Sequence, residues 1–416
     1  MSPTPRAAAA LAAIALLAIA LGPVAAGLLA VALAGALIAD ARLARRPPRA
    51  QRRVPAIVAR GVSAALAIDV PGANGRSVRV RQPRPPGVEL EPQQADGGLE
   101  ARLVARRRGR FTLLAAAVRV SGPLGLATCD HRAGEDSQLL VYPDLPAARR
   151  LALAVRCGRF RESGRQSRGP LGLGTEFESL REYLPDDDIR QVNWPATVRL
   201  GRAMSNQYRV EQDRDVICVL DCGRLMAAPL SGGATRLDAA VDAATAVGLV
   251  TEELGDRCGT VAFDAVVHRR LPPRRRGADA LVRAIFDLQP APVDSDYELA
   301  FRGVASAKRA LVIVFTDLIE EVAARSLVAA VPVLARRHEV VVAGVADPDL
   351  DAAVCTRPKQ ELDVYRAAAA LDVLGARERA AARVRAAGAR VLETAPAQLA
   401  QACVGAYLSA KARARL

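Results

Sequence analysis

The stretch DVICVLDC, residues 215–222, sets four apolar or sulfur-bearing residues and a leucine in succession between two aspartates. An uninterrupted apolar run of strand length, without alternation, describes a strand covered on both faces. It opens a series. TRLDAAVDAATAVGLVTEELG (235–255) is an amphipathic helix, and CGTVAF with AVVHRR forms a hairpin around Asp264. Helices follow over 278–289 and 297–307, then a fully apolar strand ALVIVFTDL (310–318) and a helix over roughly 320–337. EVVVAGVAD (339–347) is another buried strand, and a long helix follows it over 364–388. Strands alternating with helices predict an α/β doubly wound domain over 215–411, with a largely parallel sheet and one antiparallel strand from the hairpin.

Upstream lies GLGTEFESLREYLPDDDIRQVNWPATVR, residues 172–199, dense in charge yet carrying Phe177, Leu180, Tyr183, Ile189 and the chain's single tryptophan, Trp194. That apolar content sets it apart from a solvated tail. With the arginine-rich run before it, it makes a segment 147–214 of linker and signature. Residues 54–146 hold short apolar or alternating runs punctuated by Gly and Pro, the pattern of a small all-β, sandwich-like domain. Residues 47–53 are a polar linker.

Residues 7–39 carry no charge. One helix of that length would reach about 50 Å, against a hydrocarbon core of about 30 Å. Gly22-Pro23 breaks the run, so the expectation for 1–46 is a membrane anchor: an N-terminal transmembrane helical hairpin of 7–21 and 24–39. Arg6 on one flank and Arg42, Arg45, Arg46 and Arg49 on the other place both ends, and the soluble domains, in the cytoplasm. The alternative is a cleaved signal ending near Val24-Ala25-Ala26.

The net charge of +14 comes almost wholly from arginine. With poor aromatic interleaving and no known nucleic-acid motif, no nucleic acid is expected as partner. The basic run 146–171 is either a solvated linker or a face toward anionic lipid or an acidic partner. Seven cysteines without a Cys-x-x-Cys pair suggest reduced thiols rather than a disulfide framework or zinc site.

The 172–199 segment resembles the signature of the DUF58 family, proteins with a von Willebrand factor A-like domain. The matching residues are Gly172, Gly174, Glu176, Phe177, Leu180, Arg181, Tyr183, Pro185, Asp187, Asp188, Arg190, Trp194, Thr197 and Arg199. Asp186, Asn193 and Pro195 depart from it. RRRGRF (106–111) and SGPLGL (121–126) resemble two further family phrases. The resemblance implies a von Willebrand A-like fold, a protein-interaction role, and a MoxR-type AAA+ ATPase as partner. It also implies an Mg²⁺ site at the strand ends. Asp221 and Asp317 match it, with Thr316 beside the latter and Ser295 standing in for a threonine, but Gly223 and Leu225 replace its two serines. No cofactor is therefore expected beyond a weak, water-rich Mg²⁺ site. Otherwise these carboxylates bind a helix N-terminus or an arginine, for which Arg181, Arg190 or Arg199 of the signature are the donors at hand.

The signature itself reads as a salt-bridged brace anchored by Trp194, or as a docking surface, through Glu176, Arg181, Tyr183, Asp187, Asp188, Arg190, Asn193, Trp194 and Arg199. Together these features predict a membrane-tethered, non-enzymatic adaptor. The alternative is a hydrolase or transferase of envelope chemistry using Asp187 or Asp188.

Overall fold

The computed structural model describes residues 2–71, 77–160, 176–184, 189, 192–209, 214–230, 233–305, 308–318 and 321–413. It divides into two compact units, Met1–Tyr142 and Pro143–Leu416.

The first unit combines two N-terminal helices, Pro5–Leu21 and Pro23–Ala44, with β-sheets. Val24–Ala44 is long and apolar enough to cross a membrane, with a mean hydropathy of 2.1. The break comes at Gly22, whose φ of 80° suits glycine, and Pro23 starts the next helix where its missing N–H costs nothing. Three sheets follow, of five, four and three strands. Strict alternation in Val78–Arg81, Val88–Glu91 and Ala116–Ser121 sends one side of each inward, and Val80, Leu90, Leu103, Val118 and Leu139 share a core.

Both ends of the helical pair return to one place in this unit. Ser2–Pro3 pairs antiparallel with Ala127–Thr128, and the Thr4 hydroxyl donates to Gly125 O at 2.6 Å. At the far end, Asp40 is fully buried and accepts the backbone N–H groups of Leu124 (2.8 Å), Leu126 (2.7 Å) and Ala127 (2.9 Å). The Ala44 carbonyl lies 2.8 Å from His131 Nε2. Gly122 must be glycine, because the Asp40 carboxyl fills the space a Cβ would take. The phrase SGPLGL is thus the socket into which Asp40 fits.

The second unit is built on a six-stranded sheet: β1 (Asp215–Asp221), β2 (Arg257–Phe263), β3 (Val267–Arg274), β4 (Ala310–Phe315), β5 (Glu339–Val345) and β6 (Arg390–Thr394). Its order is β3-β2-β1-β4-β5-β6. All neighbours are parallel except β2 and β3, which form the hairpin expected around Asp264. Val216, Cys218 and Leu220 of β1 point to one face, with Ile313 and Phe315 of β4, under helices α1 (Arg236–Glu253) and α2 (Ala278–Ile285). Ile217 and Val219 point to the other, under α3 (Tyr297–Ala305), α4 (Glu321–Ala335) and α5 (Glu361–Ala386). Helix α6 (Pro396–Ala412) joins the first face. Each such side chain contributes roughly 1.5–3 kcal/mol by leaving water, which explains why the parallel strands are apolar throughout.

One boundary differs from expectation. Leu145–Arg156, placed by its arginines in a linker, is a helix packed on α1 through Ala148, Ala152 and Val155. The i, i+4, i+7 spacing of these small residues carries the helix, while Arg149, Arg150 and Arg156 occupy its wet side. This helix belongs to the second compact unit, which runs from Pro143.

Candidate functional site

Strand order reverses between β1 and β4, and Asp221 and Asp317 stand at the carboxyl ends of those two strands. A crevice forms at such a reversal. Asp221 is fully buried. Its Oδ1 accepts from Ser295 Oγ at 2.5 Å and from Gly223 N–H at 2.8 Å. Its Oδ2 lies 2.8 Å from Tyr297 OH and 2.7 Å from Thr316 Oγ1, with the two hydroxyls 2.8 Å apart. Each hydroxyl has one proton, so either both point at Oδ2 or one relays through the other. Burial, with the Asp221 charge, holds the Tyr297 phenol well above its ordinary range, so Tyr297 remains a donor.

Asp317 is held differently. Arg236, from the first turn of α1, and Arg377, from α5, both bind it, the latter with Nη2 at 3.2 Å from Oδ1. Both guanidiniums are nearly fully buried and reach onward, Arg236 to Asp347 at 3.6 Å and Arg377 to Glu393 at 3.3 Å. Burial outweighs the two positive groups and pushes the Asp317 carboxyl up to about 6. Burial likewise lowers Arg236.

These residues do not fit Mg²⁺, which needs near-octahedral oxygen ligands. Every oxygen of Asp221 already has a protein donor, and two guanidiniums stand where a dication would have to approach Asp317. No hydroxyl can be added at residue 223, since a Cβ there would collide with Ser295 Oγ and come within 2.8 Å of Val293 O. Among the described residues, no group of three or more His, Cys, Asp or Glu side chains converges to hold a metal. Ser295 and Tyr297 also line a cleft of about 290 Å³ with Arg224, Leu225, Val293, Asp294 and Ser326.

Ser295 does join Asp221, as the sequence suggested, whereas Asp317 belongs to a separate charged cluster. The guanidiniums facing Asp317 come from Arg236 and Arg377, rather than from Arg181 or Arg199. Arg236 immediately follows Thr235, the N-cap of α1, whose capping box with Asp238 fixes where the helix starts. The cap was the available signal. Arg377, inside a long helix rich in arginine, had none.

The signature forms a hairpin of Glu176–Glu182 and Met204–Arg209 around the short helix Trp194–Leu200. Asn193 caps that helix, accepting Ala196 N–H at 2.9 Å while its Nδ2 donates to Asn206 Oδ1 at 2.8 Å. Thr197 Oγ1 accepts Met204 N–H at 3.0 Å, and Gly201 ends the helix in the left-handed region. Tyr183 N–H donates to Ala203 O at 2.9 Å. Arg181 is half-buried and Arg199 exposed; Asp187, Asp188 and Arg190 lie outside the described residues, as does the side chain of Glu176.

Trp194 corrects the brace reading. It is 64% exposed, beside Val198 at 81% and Leu200 at 54%, with Ile189 at 70%. Backbone hydrogen bonds and the Asn193 cap hold the helix in place, and its apolar side chains face water.

Residues 179–389, about half the chain, match the family described as "Protein of unknown function DUF58". Uncharacterized proteins of Mycobacterium tuberculosis and Mycobacterium bovis are 26% identical over 186 residues, covering 42% of this chain and 56% of each relative. The chain thus spans just over half the length of these relatives. Among solved structures, an uncharacterized membrane spanning protein from Vibrio fischeri covers 48% of this chain and 98% of its own at 16% identity, TM-score 0.16. A cohesin module from a Clostridium perfringens family 33 glycoside hydrolase covers 23% and 98% at 9% identity, TM-score 0.17. Both structural likenesses are too slight to argue from. The family match coincides with the signature and most of the six-stranded sheet, and on it this chain belongs to the DUF58 family.

Proposed function

We propose that this chain is a membrane-tethered, non-enzymatic adaptor for a MoxR-type AAA+ ATPase. Its anchor is the apolar helical pair, with the soluble parts on the cytoplasmic side, and its partner-binding face is the signature. The second unit is read as von Willebrand A-like, which the sheet order and its single antiparallel edge strand support. The observation that carries the reading is the exposed pair Trp194 and Val198, one helical turn apart on the same face of the signature helix, with Arg199 exposed beside them. Tryptophan and arginine dominate the energetics of protein interfaces, and contiguous apolar surface is costly to leave in water. The strand-end carboxylates support the same reading, because their oxygens are engaged by internal donors and not free for acid–base work.

The test is capture from detergent-solubilised native membranes with tagged wild type, Trp194→Ala and Val198→Ala. An AAA+ ATPase recovered with wild type and lost with either variant, at unchanged melting temperature, supports the adaptor. Recovery undiminished by both variants removes the signature as its docking face, and no ATPase with any form sinks the adaptor reading.

A further inference from the structure

The helical pair and its socket carry a consequence for the bilayer. The uncharged part of the second helix, 24–39, extends about 24 Å, short of a hydrocarbon core of about 30 Å. Completing the span takes one further turn, which contains Asp40 and Arg42. A carboxylate at that depth is strongly disfavoured in lipid. Here it is withdrawn from lipid by the loop 122–127, which wraps it with three N–H donors. The same loop presents Leu124 outward, 57% exposed and adjacent to the Asp40 carboxyl through its own N–H. The Arg6 guanidinium lies against Gly125, where a Cβ would stand 2.9 Å from its Nη1. Arg42 and Arg46 are exposed at the end of the second helix.

We propose that the loop Gly122–Leu126 is a membrane foot: Leu124 enters the boundary between headgroups and acyl chains, and Arg6, Arg42 and Arg46 bind anionic phospholipid headgroups around it. The proposal rests on the anchor reading above. Asp40 fixes the depth of the foot by tying it to the last turn of the spanning helix. An apolar side chain at the interface gains by leaving water, and arginine beside it gains from the negative surface potential. Gly122 makes room for Asp40, Gly125 admits Arg6, and Leu124 faces lipid.

The experiment uses the full chain with Trp194→Phe, so that one introduced tryptophan reports alone. Leu124→Trp and, separately, Leu28→Trp are reconstituted in phosphatidylcholine vesicles with and without phosphatidylglycerol. The lipids carry bromine either near the glycerol end or near the terminus of the acyl chain. The expected result at position 124 is blue-shifted emission, lost mostly to shallow bromine, with greater loss when phosphatidylglycerol is present. Replacing Arg6, Arg42 and Arg46 by Gln should abolish that lipid dependence. Position 28 should lose emission to deep bromine. If position 28 is quenched and position 124 is not, the foot is wrong and the anchor stands. If neither is quenched, the anchor reading fails with it. Quenching at 124 that is indifferent to phosphatidylglycerol overturns the headgroup half of the proposal.

Discussion

At Asp317 two guanidiniums neutralise a buried carboxylate, which a metal ion would otherwise have to do. Removing one partner of a buried pair leaves a charge without compensation, so Arg236→Ala or Arg377→Ala should lower the stability of the second unit by about 3–5 kcal/mol in denaturant titrations. Isothermal titration of the intact chain with Mg²⁺ should show no binding tighter than millimolar. A well-defined micromolar isotherm would contradict the hydrogen-bond assignment at Asp221. Asp317 also sets a pH dependence. Its folded value of about 6 lies above the ordinary value of about 3.9, so the folded form binds the proton more tightly. The resulting stability is complete below about pH 4 and fades as pH rises through about 6, by at most about 3 kcal/mol. Asp317→Asn should flatten that part of the stability–pH curve; an identical slope would show that another group titrates there.

Among the elements, the closing helix α6 is fixed by a polar contact inside the protein. Tyr407 and Lys411 both bind Asp256, which follows α1; Lys411 Nζ lies 2.5 Å from Oδ2, and the pair is almost completely buried. Lys411→Ala should cost about 3–5 kcal/mol and release α6 first, visible as early hydrogen exchange over 396–412. The short signature helix is the opposite case. Its cap is internal and its tryptophan is outside, so Trp194→Ala should change stability by no more than about 0.5 kcal/mol. A cooperative loss of the unit on that substitution would restore the brace. These two helices show what sequence could and could not disclose. Strand and helix identities over 215–347, and the long helix after them, follow from local apolar period and were legible; the helix Pro348–Cys355, strand β6 and helix α6 were not read from it. Whether Trp194 faces in or out depends on what packs over a seven-residue helix, and local pattern holds no record of that. Lys411 and Asp256 are separated by more than one hundred and fifty residues and meet only through topology.

For the molecule as a whole, the alternation of strands and helices was readable because each parallel strand needs cover on both faces. The start of the second unit was not, because Ala148, Ala152 and Val155 are small and the arginines between them dominate composition. Asp40 was equally hidden, a charge near the end of an apolar run whose three donors lie more than eighty residues away. Asp40→Ala should leave one buried and two part-buried N–H groups short of a partner, at up to about 1–3 kcal/mol each before water re-enters. The check is a lower melting temperature for the full chain in detergent and faster exchange at Leu124, Leu126 and Ala127. The grip at Thr4 and the grip at Asp40–Ala44 together form a two-pin mounting. A domain hung from one flexible tether swivels freely about that tether, but a domain pinned at both ends of a helical pair keeps a fixed azimuth. If the helical pair is the anchor proposed above, torque reaching this β-sheet unit passes to that pair through both pins, and a pull on either helix is shared between them.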